Sequence, residues 1–451
     1  MVAILERLNE VIWGVPLVAL ICCVGMFLCI KTHFVQFRLF PKSISIFFSE
    51  FKRKEKNGEI TPYRALCTAL AATAGTGNLA GVAGAIAIGG PGVIFWMWMS
   101  ALLGMVIKFA EASLAVKYRI KAEDGSYRGG TMYMIARGLG KKWCVLSYLF
   151  CFFGAIASFG IGNATQINTV VTGVDGISEM LGMEKSIGIR ICVAAMIATL
   201  AAISFYGGAA RIGSVAEMLV PAASVCYLLL CLIVLSLRSA YIPQALSMVL
   251  NGAFSPRAVT GGMISSAFVT LRVGVSRGVF TNEAGMGTAG IAHSGSDVSH
   301  PVEQGMMGIV EVFLDTIVIC TLTGLVILCS GITIPYGIDG GVSLTMDAFR
   351  AVCGQWVAIP LTISLICFAV ATMLGWGLYG LRCTEFLLGK KFLKIFVLLQ
   401  FGITIVGAIG NTGTVWLFSD IVNGLMAVPN LIALFLLSPE LLKLVREYTS
   451  A

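Results

Sequence analysis

Thr73-Ala74-Gly75-Thr76-Gly77-Asn78-Leu79-Ala80-Gly81 interrupts an apolar run that extends from about Ala65 to Ile88. Three glycines, two threonines and an asparagine stand where a membrane-crossing helix should be most oily. Glycine favours a broken or closely approached backbone. Once helical bonds are lost inside a membrane, the freed N–H and C=O groups must be buried in protein or line a wet cavity. The stretch therefore reads as a broken helix that forms a small-solute site at mid-membrane. Tight helix–helix packing through small residues, as in the GxxxG pattern, is the competing reading, and the stretch alone leaves both open.

The whole chain has the composition of a membrane protein. Hydrophobic residues make up 57% of its 451 positions, charged residues 12%, and the mean hydropathy is +0.91. A soluble domain carries about twice that share of charge. The net charge of +8 invites a nucleic-acid reading, but the basic residues fall in short loops between apolar runs, which is a topology signal. No nucleic acid is expected as a partner. The first apolar run follows Glu6 and Glu10 and lacks a small-residue cleavage site, so a cleaved signal peptide is not expected. The fourteen cysteines, most of them inside expected spans (Cys151, Cys231 and Cys320 among them), show neither zinc spacing nor an external framework and read as reduced, structural residues.

The fold class is an all-α polytopic membrane protein with eleven expected spans, near 11–30, 65–89, 92–117, 144–172, 187–206, 213–237, 262–291, 303–330, 356–382, 392–410 and 413–437. Lengths of about twenty residues suit helices rather than barrel strands. Lysine and arginine alternate between loops. Lys31, Arg38, Lys42, Lys52, Arg53, Lys54, Lys56 and Arg64 precede the second span, and Lys117, Arg119, Lys121, Arg128, Arg137, Lys141 and Lys142 follow the third. Arg382, Lys390, Lys391, Lys394, Lys443 and Arg446 continue that parity, against Lys185, Arg190, Arg238, Arg257 and Arg350 in the other. By the positive-inside rule the N-terminus lies outside and the C-terminus in the cytoplasm of a multi-pass cell-membrane protein. Residues 33–60, with Phe34, Phe37, Phe40, Ile44, Phe47, Phe48 and Phe51 among the charges, read as a cytoplasmic helix on the membrane surface.

The seventh span repeats the anomaly of the second. From Ser265 to Gly287 it carries Arg272, Arg277, Asn282 and Glu283, too costly at membrane depth to face lipid, so they must face the interior, a cavity or one another. The second break is expected within Gly274–Gly287. Breaks five spans apart suit two five-helix halves, and an odd number of spans per half makes the repeat inverted. The expected organisation is thus an N-terminal helix with an amphipathic segment (1–64), a first repeat (65–237) and a second repeat (238–451), forming one transport domain. Gly285-Met286-Gly287-Thr288-Ala289-Gly290 matches GxGxxG, but it ends an apolar span rather than following a strand, so a dinucleotide site is not expected.

Several motifs, in order along nearly the whole chain, resemble the alanine or glycine:cation symporter family. They are Ala69–Asn78, Gly89–Trp98 (GGPGVIFWMW), Lys108–Arg119 (KFAEASLAVKYR), Arg277–Gly287 (RGVFTNEAGMG), and Glu311–Thr316 (EVFLDT) with the ICT shortly after. The resemblance implies a leucine-transporter-type core of two inverted repeats and sodium-coupled uptake of small neutral amino acids by alternating access. Na⁺ is the implied coupling ion, with no organic cofactor, no obligate protein partner and membrane lipid as surroundings.

An amino acid needs donors for its carboxylate and acceptors for its amine. At a broken helix, exposed amides and the positive helix end favour the carboxylate, which suits Gly75, Thr76 and Gly77. Freed carbonyls near Ala71, Thr73 and Ala74 suit Na⁺, and Asn78 offers an amide oxygen to a cation or to structure. By resemblance, the Ala71 and Ala74 carbonyls meet a hydroxyl from the ninth span, for which Thr372 is the candidate. The family's Ser-Thr at this place reads Ala371-Thr372 here, which removes one ligand. Gln166 can accept from the amine, or can serve as an interhelical hydrogen-bonding group. Phe280, Thr281 and Asn282 are expected to line the pocket opposite Gly75–Asn78, and Trp376 to wall off the side-chain end, limiting substrates to glycine and alanine size. Lys108, Glu111, Arg272, Arg277, Glu283, Glu311, Asp315 and Asp420 are the remaining buried charges. Asp315 and Glu311, four apart on one helical face, are expected to pair with an arginine or carry protons. His293 and His300 are placed in the cytoplasmic loop after span seven and give no ground for a metal site. A proton-coupled transporter is the nearest alternative function and an ion channel a more distant one; no catalytic constellation points to an enzyme.

Overall fold

The computed structural model describes residues 2–53, 60–123, 125–264, 266–338, 340–410 and 413–450. Lys54 and Lys56 of the basic stretch, and Ser265 at the head of the seventh span, lie outside the described residues. The fold is helical apart from a two-stranded ribbon that pairs Ile120 with Arg128 and Lys121 with Tyr127. Among the described residues nine helices are long and apolar enough to cross a membrane, and ten if Pro62–Thr73 and Gly77–Gly89, bent by 51°, form one span.

That bend is built locally. The Thr61 hydroxyl accepts from Arg64 N at 3.1 Å and Pro62 occupies the first turn, which starts the helix firmly. Ala74 leaves helical geometry at ψ 89°. The Gly75 N–H, which would otherwise return to the Ala71 carbonyl, donates instead to Asn78 Oδ1 at 2.9 Å. A π-helical turn, Gly77–Gly81, then leads into Val82–Gly89.

The count differs from eleven at the seventh expected span, 262–291. There the chain forms Ala267–Asn282, an irregular turn, and the short helix Ala289–His293, neither helix long enough to cross alone. The break lies beyond Asn282, later than Gly274, and glycine packing explains the difference. A Cβ on Gly274 would stand 2.6 Å from Trp96 Cβ, and one on Gly278 would stand 2.1 Å from Ser100 Oγ. Those glycines let the helix lie against Val93–Lys117, so it continues through them. The turn itself is marked by positive φ at Glu283 (54°), Gly285 (95°) and Gly287 (80°).

Two stretches expected as loops, 238–261 and 331–355, contain the helices Ile242–Phe254 and Gly341–Cys353. Both are short and one-sided, so they lack the apolar length that marks a span. Within the basic segment, Phe40–Phe51 is helical as expected, with one face on protein: Phe40 meets Phe313 and Phe47 meets Tyr63 at ring separations of 5.0 and 5.8 Å. Phe48 and Phe51 on its other side are exposed. All fourteen cysteines are free.

Candidate functional site

The first break is lined by close approaches from the Ala358–Leu388 helix. A Cβ on Gly75 would stand 2.6 Å from Thr372 Oγ1, and one on Gly375 would stand 2.9 Å from Ala72 N. The Thr372 hydroxyl donates to the Phe368 carbonyl at 2.9 Å, so its lone pairs remain available beside the break. Ala71, Thr73 and Ala74 are buried there, and the Ala71 carbonyl has lost its helical partner at Gly75. Thr372 and the freed carbonyl are hard oxygens, the donor type an alkali cation takes.

Gly77 and Gly81 answer the packing alternative. A Cβ on Gly77 meets nothing closer than 3.9 Å, and one on Gly81 meets nothing within 4 Å. Both instead line a cavity of about 540 Å³ together with Ala80, Asn168, Phe280 and Trp416. The glycines of this turn are kept small beside open space, and the helix-packing role belongs to Gly274 and Gly278. A larger cavity of about 880 Å³, lined by Tyr127, Arg128, Asp297 and Glu385, lies at the opposite end of the bundle and touches neither break.

Gln166 follows a second π-helical turn, Gly160–Ala164. Its Oε1 accepts from Thr76 Oγ1 at 3.1 Å, and its Nε2 donates to the Ile161 carbonyl at 3.0 Å. Two residues expected to hold substrate therefore hold each other in this conformation. Trp376 packs on the same turn: a Cβ on Gly162 would stand 2.3 Å from Trp376 Cβ. Gly162→Ala is expected to cost about 1–3 kcal/mol through overpacking. Gly77→Ala should leave stability unchanged while narrowing the pocket. Melting curves of the two purified variants check the contrast; equal melting temperatures would contradict it.

Asn78 is more constrained than expected. Besides capping Gly75, it donates from Nδ2 to Asp315 Oδ1 at 2.8 Å. Thr316 Oγ1 donates to Asp315 Oδ2 at 3.0 Å and accepts from Asn282 Nδ2 at 3.0 Å. A buried polar chain thus runs from the first broken helix, through the π-helical segment Phe313–Cys320, to the last residue of Ala267–Asn282. Three π-helical segments surround the site, a form that recurs where helices are bent for function. Thr281 lies beside Gly77, its hydroxyl bonded to the Arg277 carbonyl at 2.6 Å. Phe280 stands at the cavity wall, edge-on to Trp13 at 6.5 Å.

The second break is held by side chains that the sequence gave no means of pairing. Glu111 Oε1 accepts from Gly285 N at 2.9 Å, Gly287 N at 3.0 Å and Asn430 Nδ2 at 2.6 Å. Thr131 Oγ1 lies 2.9 Å from the Gly287 carbonyl, and Asn430 Nδ2 also reaches the Gly285 carbonyl at 2.9 Å. Glu283 accepts from the Thr288 hydroxyl at 2.6 Å.

Two expectations are corrected here. Asp315 and Glu311 do not pair with an arginine: Glu311 lies between Lys108 (Nζ to Oε1, 3.1 Å) and His293 (Nε2 to Oε2, 2.8 Å). His293 is not a loop residue, being wholly buried at the end of Ala289–His293 with Gln304 on its other nitrogen. His300 caps the Pro301–Val312 helix with Glu303. Arg272 and Arg277 do face a cavity, of about 160 Å³, shared with Glu10, Trp13 and Asp420.

Comparisons with known proteins bear on this geometry. The family profile described as sodium:alanine symporter family matches residues 1–451. The chain is 39% identical over 444 residues to the sodium/alanine symporter AgcS of Methanococcus maripaludis, covering 97% of this chain and 95% of that protein. It is 38% identical to an uncharacterized transporter of Haemophilus influenzae, covering 99% and 96% of the two chains. It is 35% identical to the amino-acid carrier protein AlsT of Bacillus subtilis, covering 94% and 87%. Among solved structures, MhsT in complex with L-phenylalanine superposes with a TM-score of 0.59 at 15% identity, covering 87% of this chain and 99% of that one, which places the fold as leucine-transporter-type.

Proposed function

The chain belongs to the sodium:alanine symporter family, and on that premise we propose that it couples Na⁺ to the import of small neutral amino acids, alanine and glycine, by alternating access. It is a transporter and not an enzyme. The observation that carries the reading is the first break: Gly75 N–H turned away from the Ala71 carbonyl, Thr372 beside it, and the adjoining turn open to a cavity of about 540 Å³.

In this reading Gly75, Thr76 and Gly77 take the carboxylate, Gln166 the amine, and Ala71, Thr73, Ala74 and Thr372 the sodium ion. Asn78 positions the break. Phe280, Thr281 and Asn282 form the facing wall, and Trp376, seated on Gly162, limits the side-chain end to a methyl group. The segment 267–293 is taken as the eleventh crossing, broken near its end, in a 5+5 inverted repeat (65–237 and 238–451). The N-terminus lies outside, the 540 Å³ cavity opens outward, the C-terminus is cytoplasmic, and lipid surrounds the exposed apolar faces.

Proteoliposomes with an inward Na⁺ gradient should accumulate labelled alanine above equilibrium, and unlabelled glycine should compete. Replacing Na⁺ by choline at constant pH should abolish accumulation. Accumulation driven by a proton gradient in choline would favour the proton-coupled alternative, and uptake that never saturates would favour a channel.

A further inference from the structure

Asp315 carries no exposed surface in the middle of the Pro301–Cys329 span. A carboxylate at that depth without a counter-charge is among the costliest arrangements a protein interior holds. Its two side-chain partners are neutral, the Asn78 amide and the Thr316 hydroxyl. Among the described residues no lysine, arginine or histidine forms an ion pair with it. Lys108, the interior lysine, is committed to Glu311 one turn earlier, whose other oxygen meets His293.

The other interior carboxylates lack this combination. Glu111 is met by two backbone amides and the Asn430 amide, as an anion held at a turn would be. Glu283 lies in its own turn and accepts from Thr288. Asp315 alone is bonded to the first broken helix and, through Thr316, to the end of Ala267–Asn282. Each carboxylate oxygen offers two lone-pair directions, and one neutral donor on each leaves capacity for a ligand. The surroundings are rich in oxygen. Asn78 Nδ2 lies 3.2 Å from Asp315's own carbonyl, Asn78 N donates to the Gly75 carbonyl at 3.2 Å, and Thr316 Oγ1 sits between Asp315 and Asn282. An anionic, oxygen-based donor set in a water-excluded turn is the chemistry of a hard-cation site.

We propose that Asp315 is the anionic ligand of a second sodium site, completed by Asn78 and Thr316 and separate from the one framed by Ala71, Ala74 and Thr372. The proposal rests on the reading of the chain as a sodium-coupled symporter. In the present conformation the Asn78 NH₂ group occupies the cation's place against Oδ1. When Na⁺ enters, the amide turns so that its oxygen faces the ion. That same oxygen is the acceptor for the Gly75 N–H, so the turn releases this amide for the carboxylate of the incoming amino acid. Ion and substrate are coupled because they compete for the two ends of one side chain.

A purely structural pin between Asn78 and Asp315 is the rival, and Asp315→Asn separates the two. Asparagine keeps an acceptor for Asn78 and a group for Thr316 while removing the charge. In proteoliposomes, the Na⁺ concentration for half-maximal alanine uptake should rise about tenfold or more in Asp315→Asn, as expected when a site loses its charged ligand. The charge moved per alanine should fall by one. Wild-type Na⁺ dependence and charge ratio in this variant would overturn the proposal. If Asp315→Asn does not fold, Asp315→Glu keeps the charge and moves it: a several-fold shift in Na⁺ dependence supports the site, and an unchanged dependence overturns it. Wild-type uptake that ignores the exchange of Na⁺ for choline would overturn sodium coupling itself, a result distinct from a silent Asp315→Asn.

Discussion

Asn78→Ala should reduce Na⁺-driven alanine uptake to less than about a tenth of wild type while the protein still reaches the membrane. The substitution removes both ends of a bridge at once. Gly75 loses the acceptor that turns its N–H out of the helix, and Asp315 loses the donor on Oδ1. A hydrogen bond to a charged group is worth about 1.5–3 kcal/mol, and a buried polar group left unsatisfied costs about 1–3 kcal/mol. Either loss alone is enough for a tenfold effect, since each tenfold step is about 1.4 kcal/mol. The Gly75 amide is also free to return to the Ala71 carbonyl, which would rewind the break and withdraw the oxygen that Na⁺ needs. Thr76→Ala should be milder. It removes one hydroxyl bonded to Gln166, and the Gln166 amide that it frees remains beside the substrate. Uptake by both variants, normalised to protein in the membrane, is the measurement. Asn78→Ala transporting at half the wild-type rate or better would refute the role assigned to the bridge.

The difference between these two residues was only partly visible in the sequence. Glycines and an asparagine in an apolar run mark a break because backbone freedom and a polar side chain at depth are local properties. The spans had the same advantage. Val93–Lys117 and Ile187–Tyr206 stand within a residue of their expected limits because twenty apolar residues announce themselves. Partner choice is not local. Asn78 and Asp315 are 237 positions apart, and Glu111 and Asn430 are 319 apart. A carboxylate at membrane depth can be flagged from composition, but its partner depends on how the bundle closes. Glycine shows the same limit from the other side. Gly77 and Gly274 look alike in sequence, yet one faces a cavity and the other lies against Trp96. Charged residues in the seventh span pulled the expected break toward Gly274; the backbone leaves the helix only where Glu283 takes a positive φ and Glu111 supplies an acceptor for the freed amides. His293 was misplaced for a related reason. A short helix after a break looks like a loop until its side chain is seen against Glu311.

The largest effect on stability is expected at the ion pair beneath the second break. Lys108 and Glu311 are both wholly buried, with Nζ 3.1 Å from Oε1. Two charges removed from water gain little net stability as a pair, yet removing one of them strands the other. Lys108→Met leaves Glu311 with His293 as its remaining partner and should destabilise the protein by about 3–5 kcal/mol. Lys108→Met combined with Glu311→Met removes both charges at similar volume and should recover most of that loss, because no uncompensated carboxylate remains. The double variant should not recover transport to the same degree. Glu311 also holds His293, the last residue of Ala289–His293, and through it the segment that follows the second break. Stability and transport therefore separate in this pair of variants: the single substitution loses both, and the double regains the first while the short helix stays untethered. Melting temperatures in detergent, read beside alanine uptake in proteoliposomes, test the separation. A double variant no more stable than Lys108→Met would mean that the pair contributes through its packing rather than its charge.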